Sequence, residues 1–119
     1  MRDLAKSEVL ASARRLIKPV YELAHTLPDS EKYGLSSQLR RAAISIAANV
    51  AEGLGRGTEG ELEHHLRIAS GSAAELEVLL DAAVDLGLLE KETTHLLRND
   101  VRRVRTRLYR LVTRVSAAR

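Results

Sequence analysis

The sequence predicts an all-α protein, an antiparallel up-down-up-down four-helix bundle. Three observations carry this. Four stretches repeat Leu, Val, Ile and Ala at alternating three- and four-residue spacing, the period of a helix with one buried stripe. Short segments bearing Pro, Gly and polar residues separate them, and short connections make neighbouring helices antiparallel. Aromatic residues are 3% of the chain, with no Phe or Trp, so small aliphatic side chains must fill the core, which suits closely packed helices.

The first helix is expected from Asp3 to Thr26. Leu10, Ala13, Ile17, Val20, Ala24 and Leu27 form its apolar register, widened by Val9, Leu16 and Leu23. Pro19 lacks a backbone donor and crowds the carbonyl of Arg15. The register stays in phase across it, so one bent helix is expected and not two. Leu27-Pro28-Asp29-Ser30 ends the element.

The second helix is expected from Leu35 to Leu54. Leu35, Leu39, Ala42 and Ile46 form one stripe; Ala43, Val50 and Leu54 extend a second; Ile44, Ala47, Ala48 and Ala51 form a third edge. More than one apolar face suits a central element. Arg41, Ser45, Asn49 and Glu52 fall on one edge at spacings of four, four and three, and Glu75 on an antiparallel third helix could reach them. Buried polar groups need partners. With Ser72, and with Arg56 in the Gly55-Arg56-Gly57 turn, they read as a structural polar network or a subunit contact. The P-loop spacing with its Lys is absent, so this turn is not a phosphate loop.

Thr58 and Glu61 match a capping box and start the third helix near Glu59. Leu62, Leu66, Ala69, Ala73, Leu76, Leu80 and Ala83 form its seam, and Gly87 supplies the stop. Gly71 costs about 1 kcal/mol in a helix interior, so a close helix–helix approach is expected there. The fourth helix begins near Glu90, with Leu97, Val101, Val104, Leu108, Leu111, Val115 and Ala118 in its seam. No linker or repeat interrupts the chain, which reads as a single domain over residues 1–119.

Charge is uneven. From Arg98 onward eight arginines face only Asp100, a net +7, which leaves −4 for the rest of the chain. Such a segment suggests a polyanionic partner. Arg98, Arg102, Arg103, Arg105, Arg107, Arg110 and Arg114 are the candidate RNA- or DNA-binding residues, since arginine forks suit phosphate and need no base readout. Only Tyr109 lies among them to stack on a base. The alternatives are a solvated helix face or pairing with acids of a neighbouring subunit.

With no cysteine, disulfides, iron–sulfur clusters and thiol catalysis are excluded. The charged start has no signal-peptide core, and no run approaches the roughly 20 apolar residues of a membrane span, so a cytoplasmic protein without a membrane partner is expected. Glu-x-x-His occurs at Glu22/His25, Glu61/His64 and Glu92/His95, a spacing used by di-iron bundles. About 25 helical residues, on the order of 40 Å, separate the second pair from the third in an antiparallel bundle. The remaining two flank the seams, so no metal, cofactor or catalytic residue is assigned.

Several runs resemble the 23S rRNA intervening-sequence protein family. They are Leu27-Pro28-x-x-Glu31-x-Tyr33-Gly34-Leu35-x-x-Gln38-Leu39-x-Arg41-Ala42-Ala43-x-Ser45-Ile46, Asn49-Val50-Ala51-Glu52-Gly53-x-Gly55-Arg56 and Leu66-x-Ile68-Ala69-x-Gly71-Ser72-x-x-Glu75-Leu76-Glu77. Leu27 replaces a usual Phe and Ala47 a usual Pro, both packing changes. The resemblance implies a left-handed four-helix bundle assembled as a ring-shaped homopentamer. A related branch, the accessory proteins of diversity-generating retroelements, is basic, binds nucleic acid and partners a reverse transcriptase. The first reading is therefore a non-enzymatic pentamer that contacts RNA or DNA through the fourth helix. The alternative is a structural or protein-interaction ring with its arginines in subunit interfaces, and the third class is a metal-dependent enzyme.

Overall fold

The computed structural model describes residues 4–119, so Asp3 and the charged start before it lie outside the described residues. Helices α1 (Leu4–Arg15), α2 (Ile17–His25), α3 (Leu35–Gly55), α4 (Glu59–Asp85) and α5 (Lys91–Ala118) follow one another, with a 3₁₀ turn at Asp29–Glu31. No strand occurs among the described residues. The molecule is elongated, 45 × 24 × 18 Å.

The expected first helix is interrupted at Leu16, so α1 and α2 are two segments of it. Leu16 keeps right-handed helical dihedrals, φ −76° and ψ −24°. Its amide bonds three residues back, to Ala13, at 3.2 Å. Pro19, with no N–H to give Arg15, places the interruption one turn before itself. The buried stripe is Val9, Ala13, Leu16, Val20, Ala24 and Leu27, whereas Leu10 and Ile17 sit at its rim. The register therefore lies slightly to one side of the expected one.

Helix α3 buries Leu39, Ala43, Ile46 and Val50 completely. Its expected third edge is largely exposed, since Ile44, Ala48 and Ala51 face outward and only Ala47 is covered. Helix α4 buries all seven predicted seam residues. Thr58 caps it, accepting from the Glu61 amide at 3.2 Å, while the Glu61 carboxylate accepts from the Thr58 hydroxyl at 3.3 Å. Gly87, at φ 75°, ends this element through its amide bond to Val84. Helix α5 buries the predicted seam up to Val115; Ala118 is exposed.

Pairs across α3 and α4 match rising numbers with falling ones: Ser45 with Ser72, and Asn49 with His65. The α4–α5 pairs do the same, Asp81 with Arg98 and Glu63 with Arg119. Ser36 reaches back to Ala24 from α3 to α2. Helices α3, α4 and α5 thus alternate in sense, and α1 and α2 pack with them around one apolar core.

The close approach expected at Gly71 occurs at Gly53 instead. A Cβ on Gly53 would stand 2.9 Å from the His65 Cβ and 3.3 Å from the Leu62 carbonyl oxygen; around Gly71 nothing lies within 4 Å. Gly71 lies on the outer side of α4, away from its seam. All three tyrosines are on the surface: Tyr21 is 42% exposed, Tyr109 69% and Tyr33 88%. No helix among the described residues is long and apolar enough to cross a membrane.

Candidate nucleic-acid interface

A helix turns its side chains to neighbours on either side of the buried seam. The arginines of α5 divide accordingly. Arg98, Arg102 and Arg105 lie on the flank that meets α4. Arg98 grips Asp81 with two bonds, Nε to Oδ1 at 2.6 Å and Nη2 to Oδ2 at 3.0 Å. This bond holds the Asp81 carboxyl below its ordinary range against partial desolvation, and raises the Arg98 guanidinium in turn. Arg105 bonds Glu77, and Arg102 approaches the other oxygen of the same carboxylate at 3.7 Å. Glu77 is 8% exposed at its side chain, so a buried carboxylate collects two cations.

The same α4 edge carries Glu63. Arg67, four residues further along the same helix, bonds it at 2.9 and 3.0 Å, and this bond chiefly lowers the Glu63 carboxyl. Arg119 adds an ion pair at 3.2 Å without hydrogen-bond alignment. Counting charge within the fourth helix alone missed these acids. The available signal was that Glu63, Glu77 and Asp81 stand fourteen and four residues apart, on one helical face.

Arg103, Arg107, Arg110 and Arg114 lie on the opposite flank, toward α1. Two adjoining cavities run there. One of about 360 Å³ is lined by Ser12, Arg15, Leu16, Asp100, Arg103, Val104 and Arg107. The other, about 270 Å³, is lined by Ala5, Glu8, Val9, Arg107, Arg110, Leu111 and Arg114. Arg103 bonds Asp100 within its own helix. Arg107 and Arg110 are exposed and make no ion pair among the described residues. Arg15 of α1, which sequence reasoning did not single out, joins them. Its only signal was position, since it lies beside the seam residue Leu16. Among the described residues, five arginines thus line one groove together with Glu8 and Asp100.

The polar set on α3 and α4 divides as well. The Ser45 and Ser72 hydroxyls are 2.8 Å apart. Asn49 donates to the Ser45 carbonyl at 2.9 Å and to its hydroxyl at 3.1 Å. His65 Nδ1 lies 3.2 Å from Asn49 Oδ1, which requires the proton on Nδ1. His65 was the member not foreseen; its spacing of seven from Ser72 puts both on one face. Glu52 and Arg56 pair with each other, at 3.4 Å in the solvated last turns of α3, and stand apart from the bonded set. Arg41 and Glu75 are exposed and outside the bonded set. Arg41 lines a shallow surface cavity with Tyr21, Ser37, Arg40, Ile44 and Ser45.

A larger cavity, about 490 Å³, sits where α4 leads into α5 and is lined by Asp81, Val84, Asp85, Lys91, Thr94, His95 and Arg98. Its charges are of both signs, and Arg98 is already held by Asp81. Among the described residues, no group of three His, Cys, Asp or Glu could hold a metal ion.

The architecture is shared with a solved structure. A protein of unknown function from the S23 ribosomal protein family of Bacteroides thetaiotaomicron superposes with a TM-score of 0.85 at 21% identity, over 92% of this chain and 98% of that one. At that identity the likeness is one of fold. No curated protein matches the sequence. The family model for the 23S rRNA-intervening sequence protein matches residues 5–110, nearly the whole of the bundle, and the chain belongs to that family.

Proposed function

We propose that this protein is a non-enzymatic, single-domain helical bundle that assembles as a homopentameric ring and holds RNA or DNA in the groove between α1 and α5. The observation that supports the reading is the division of the α5 arginines. Arg98, Arg102 and Arg105 are neutralised by acids of α4, while Arg15, Arg107 and Arg110 line a groove whose acids among the described residues are Glu8 and Asp100. Arginine left unpaired along a groove suits phosphate oxygens, which accept charge-assisted bonds from its fork. Subunit contacts are assigned to the other side of the bundle. There Arg41, Glu75 and the partly exposed Ile44 and Ile68 lie outside the internal bonds, and Gly71 leaves open space.

Light scattering coupled to size exclusion, with and without a pool of structured RNA, tests the reading. A pentamer that takes up RNA near 50 mM salt and loses about 100-fold in affinity near 200 mM, as roughly four phosphate contacts require, supports it. Arg107→Glu with Arg110→Glu should remove RNA uptake without changing oligomer mass. A pentamer that ignores RNA would instead favour the structural ring.

A further inference from the structure

The groove arginines stand on one uninterrupted helix of 28 residues. Arg103, Arg107, Arg110 and Arg114 follow one another at four, three and four residues, so the row extends about 16 Å along α5. Arg15 adds a cation from the facing helix beside Arg103 and Arg107. No aromatic side chain lines either cavity of the groove. Tyr109 follows Arg102 and Arg105 by seven and four residues and shares their flank, the one that meets Glu77 of α4. Tyr21 lies in a different cavity, with Arg40 and Arg41.

Resting on the nucleic-acid reading above, we infer that this groove takes a double helix by its phosphates and discriminates against single strands. A single strand is flexible and must be ordered on binding. Proteins that hold it offset that cost by stacking its bases on aromatic rings. This groove has arginines but no ring. A duplex is stiff far beyond the length of the row, its persistence length being about 500 Å. It also carries about one phosphate charge per 1.7 Å of axis, so roughly ten phosphates pass a row of this length without prior ordering. A straight, aromatic-free line of cations matches the rigid polyanion. Because the contacts are to phosphates, they carry no base information.

Fluorescence anisotropy with full-length protein tests this. The probes are an RNA duplex and a DNA duplex of about 20 base pairs, each in two unrelated sequences, and an unstructured oligouridine of about 20 nucleotides at low salt. The expected result is duplex binding about tenfold or more tighter than the strand, and nearly equal for the two sequences. Arg107→Glu with Arg110→Glu should abolish duplex binding while the helical circular dichroism is retained, and Tyr109→Ala should leave it unchanged. Comparing the two duplexes identifies which nucleic acid is preferred. Oligouridine bound as tightly as either duplex, or lost with Tyr109→Ala, would overturn the duplex inference and leave the nucleic-acid reading standing. No binding of any probe would overturn both.

Discussion

Gly53 of α3 faces His65 of α4 so closely that an added Cβ would stand 2.9 Å from the histidine's own Cβ. The neighbouring contact, 3.3 Å to the Leu62 carbonyl oxygen, is backbone and cannot rotate away. Gly53→Ala must therefore push α3 and α4 apart, at a cost of about 1–3 kcal/mol. Gly71→Ala, in open space on the outside of α4, should instead stabilise the fold by about 0.4–1 kcal/mol. Urea denaturation of the two variants should give midpoints on opposite sides of the parent. A Gly53→Ala protein as stable as the parent would contradict the close packing at this crossing.

Acid should weaken the α4 edge. The Asp81 and Glu63 carboxyls are held below their ordinary values of 3.8 and 4.5 by bonds from Arg98 and Arg67. In the folded state they bind fewer protons than in the unfolded chain over the acid window, so stability rises with pH there. Their contribution is complete above about pH 5 and is lost as pH falls through the lowered folded values. The Asp81 side chain is 46% exposed, so salt screens its part of the effect, whereas Glu63, 13% exposed, is screened less. Replacing them together, Glu63→Gln with Asp81→Asn, should flatten the acid limb of a plot of urea midpoint against pH. An unchanged limb would show that other carboxylates set it.

Glu77 restrains two arginines on the α4 flank, so its removal should act on folding and leave groove binding nearly unchanged. Glu77→Gln keeps the shape but leaves Arg102 and Arg105 without their carboxylate, and both can turn to water. The stability loss should be about 1–2 kcal/mol. Under the nucleic-acid reading these two cations lie on the flank away from the groove, so the dependence of log affinity on log salt should change by well under about one unit. A slope steeper by about one unit would instead place nucleic acid on the α4 flank of α5.

Asn49 joins three groups, the Ser45 carbonyl and hydroxyl and His65 Nδ1. Asn49→Ala leaves the histidine donor short of its acceptor in a half-buried crossing. A loss of about 1–3 kcal/mol is expected, read as a lower thermal midpoint. Asn49→Asp should restore an acceptor for His65 and recover part of it. Equal loss in both variants would mean that side-chain volume, and not the bond, matters at this position.

The seam of α4 was legible because helical spacing alone decides which residues meet the core, and a run from Leu62 to Ala83 leaves no competing register. The first helix was less so, because Val9 and Leu10, like Leu16 and Ile17, are adjacent aliphatics and spacing admits either as the centre. The glycine at the helix crossing was misplaced for a different reason. A glycine's presence is written in the chain, but whether a backbone approaches it depends on how two helices cross. The arginines were recognisable as a group, yet their division was not. It depends on Glu77 and Asp81, which belong to another helix and become counter-charges only once α4 lies against α5. The Ser45–Asn49 pair was visible at its spacing of four, and His65 entered because the Gly53 crossing brings it within reach.

The surface placement of every aromatic ring has an optical consequence. With no Trp or Phe, and with Tyr21, Tyr33 and Tyr109 all at the surface, no chromophore is locked in the core. Intrinsic emission and near-ultraviolet dichroism should change little on unfolding, so a flat trace must not be read as resistance to denaturant. The converse is useful: a tyrosine signal that moves when another molecule is added reports an event at the periphery. Tyr109→Phe would then tell whether that event lies on α5.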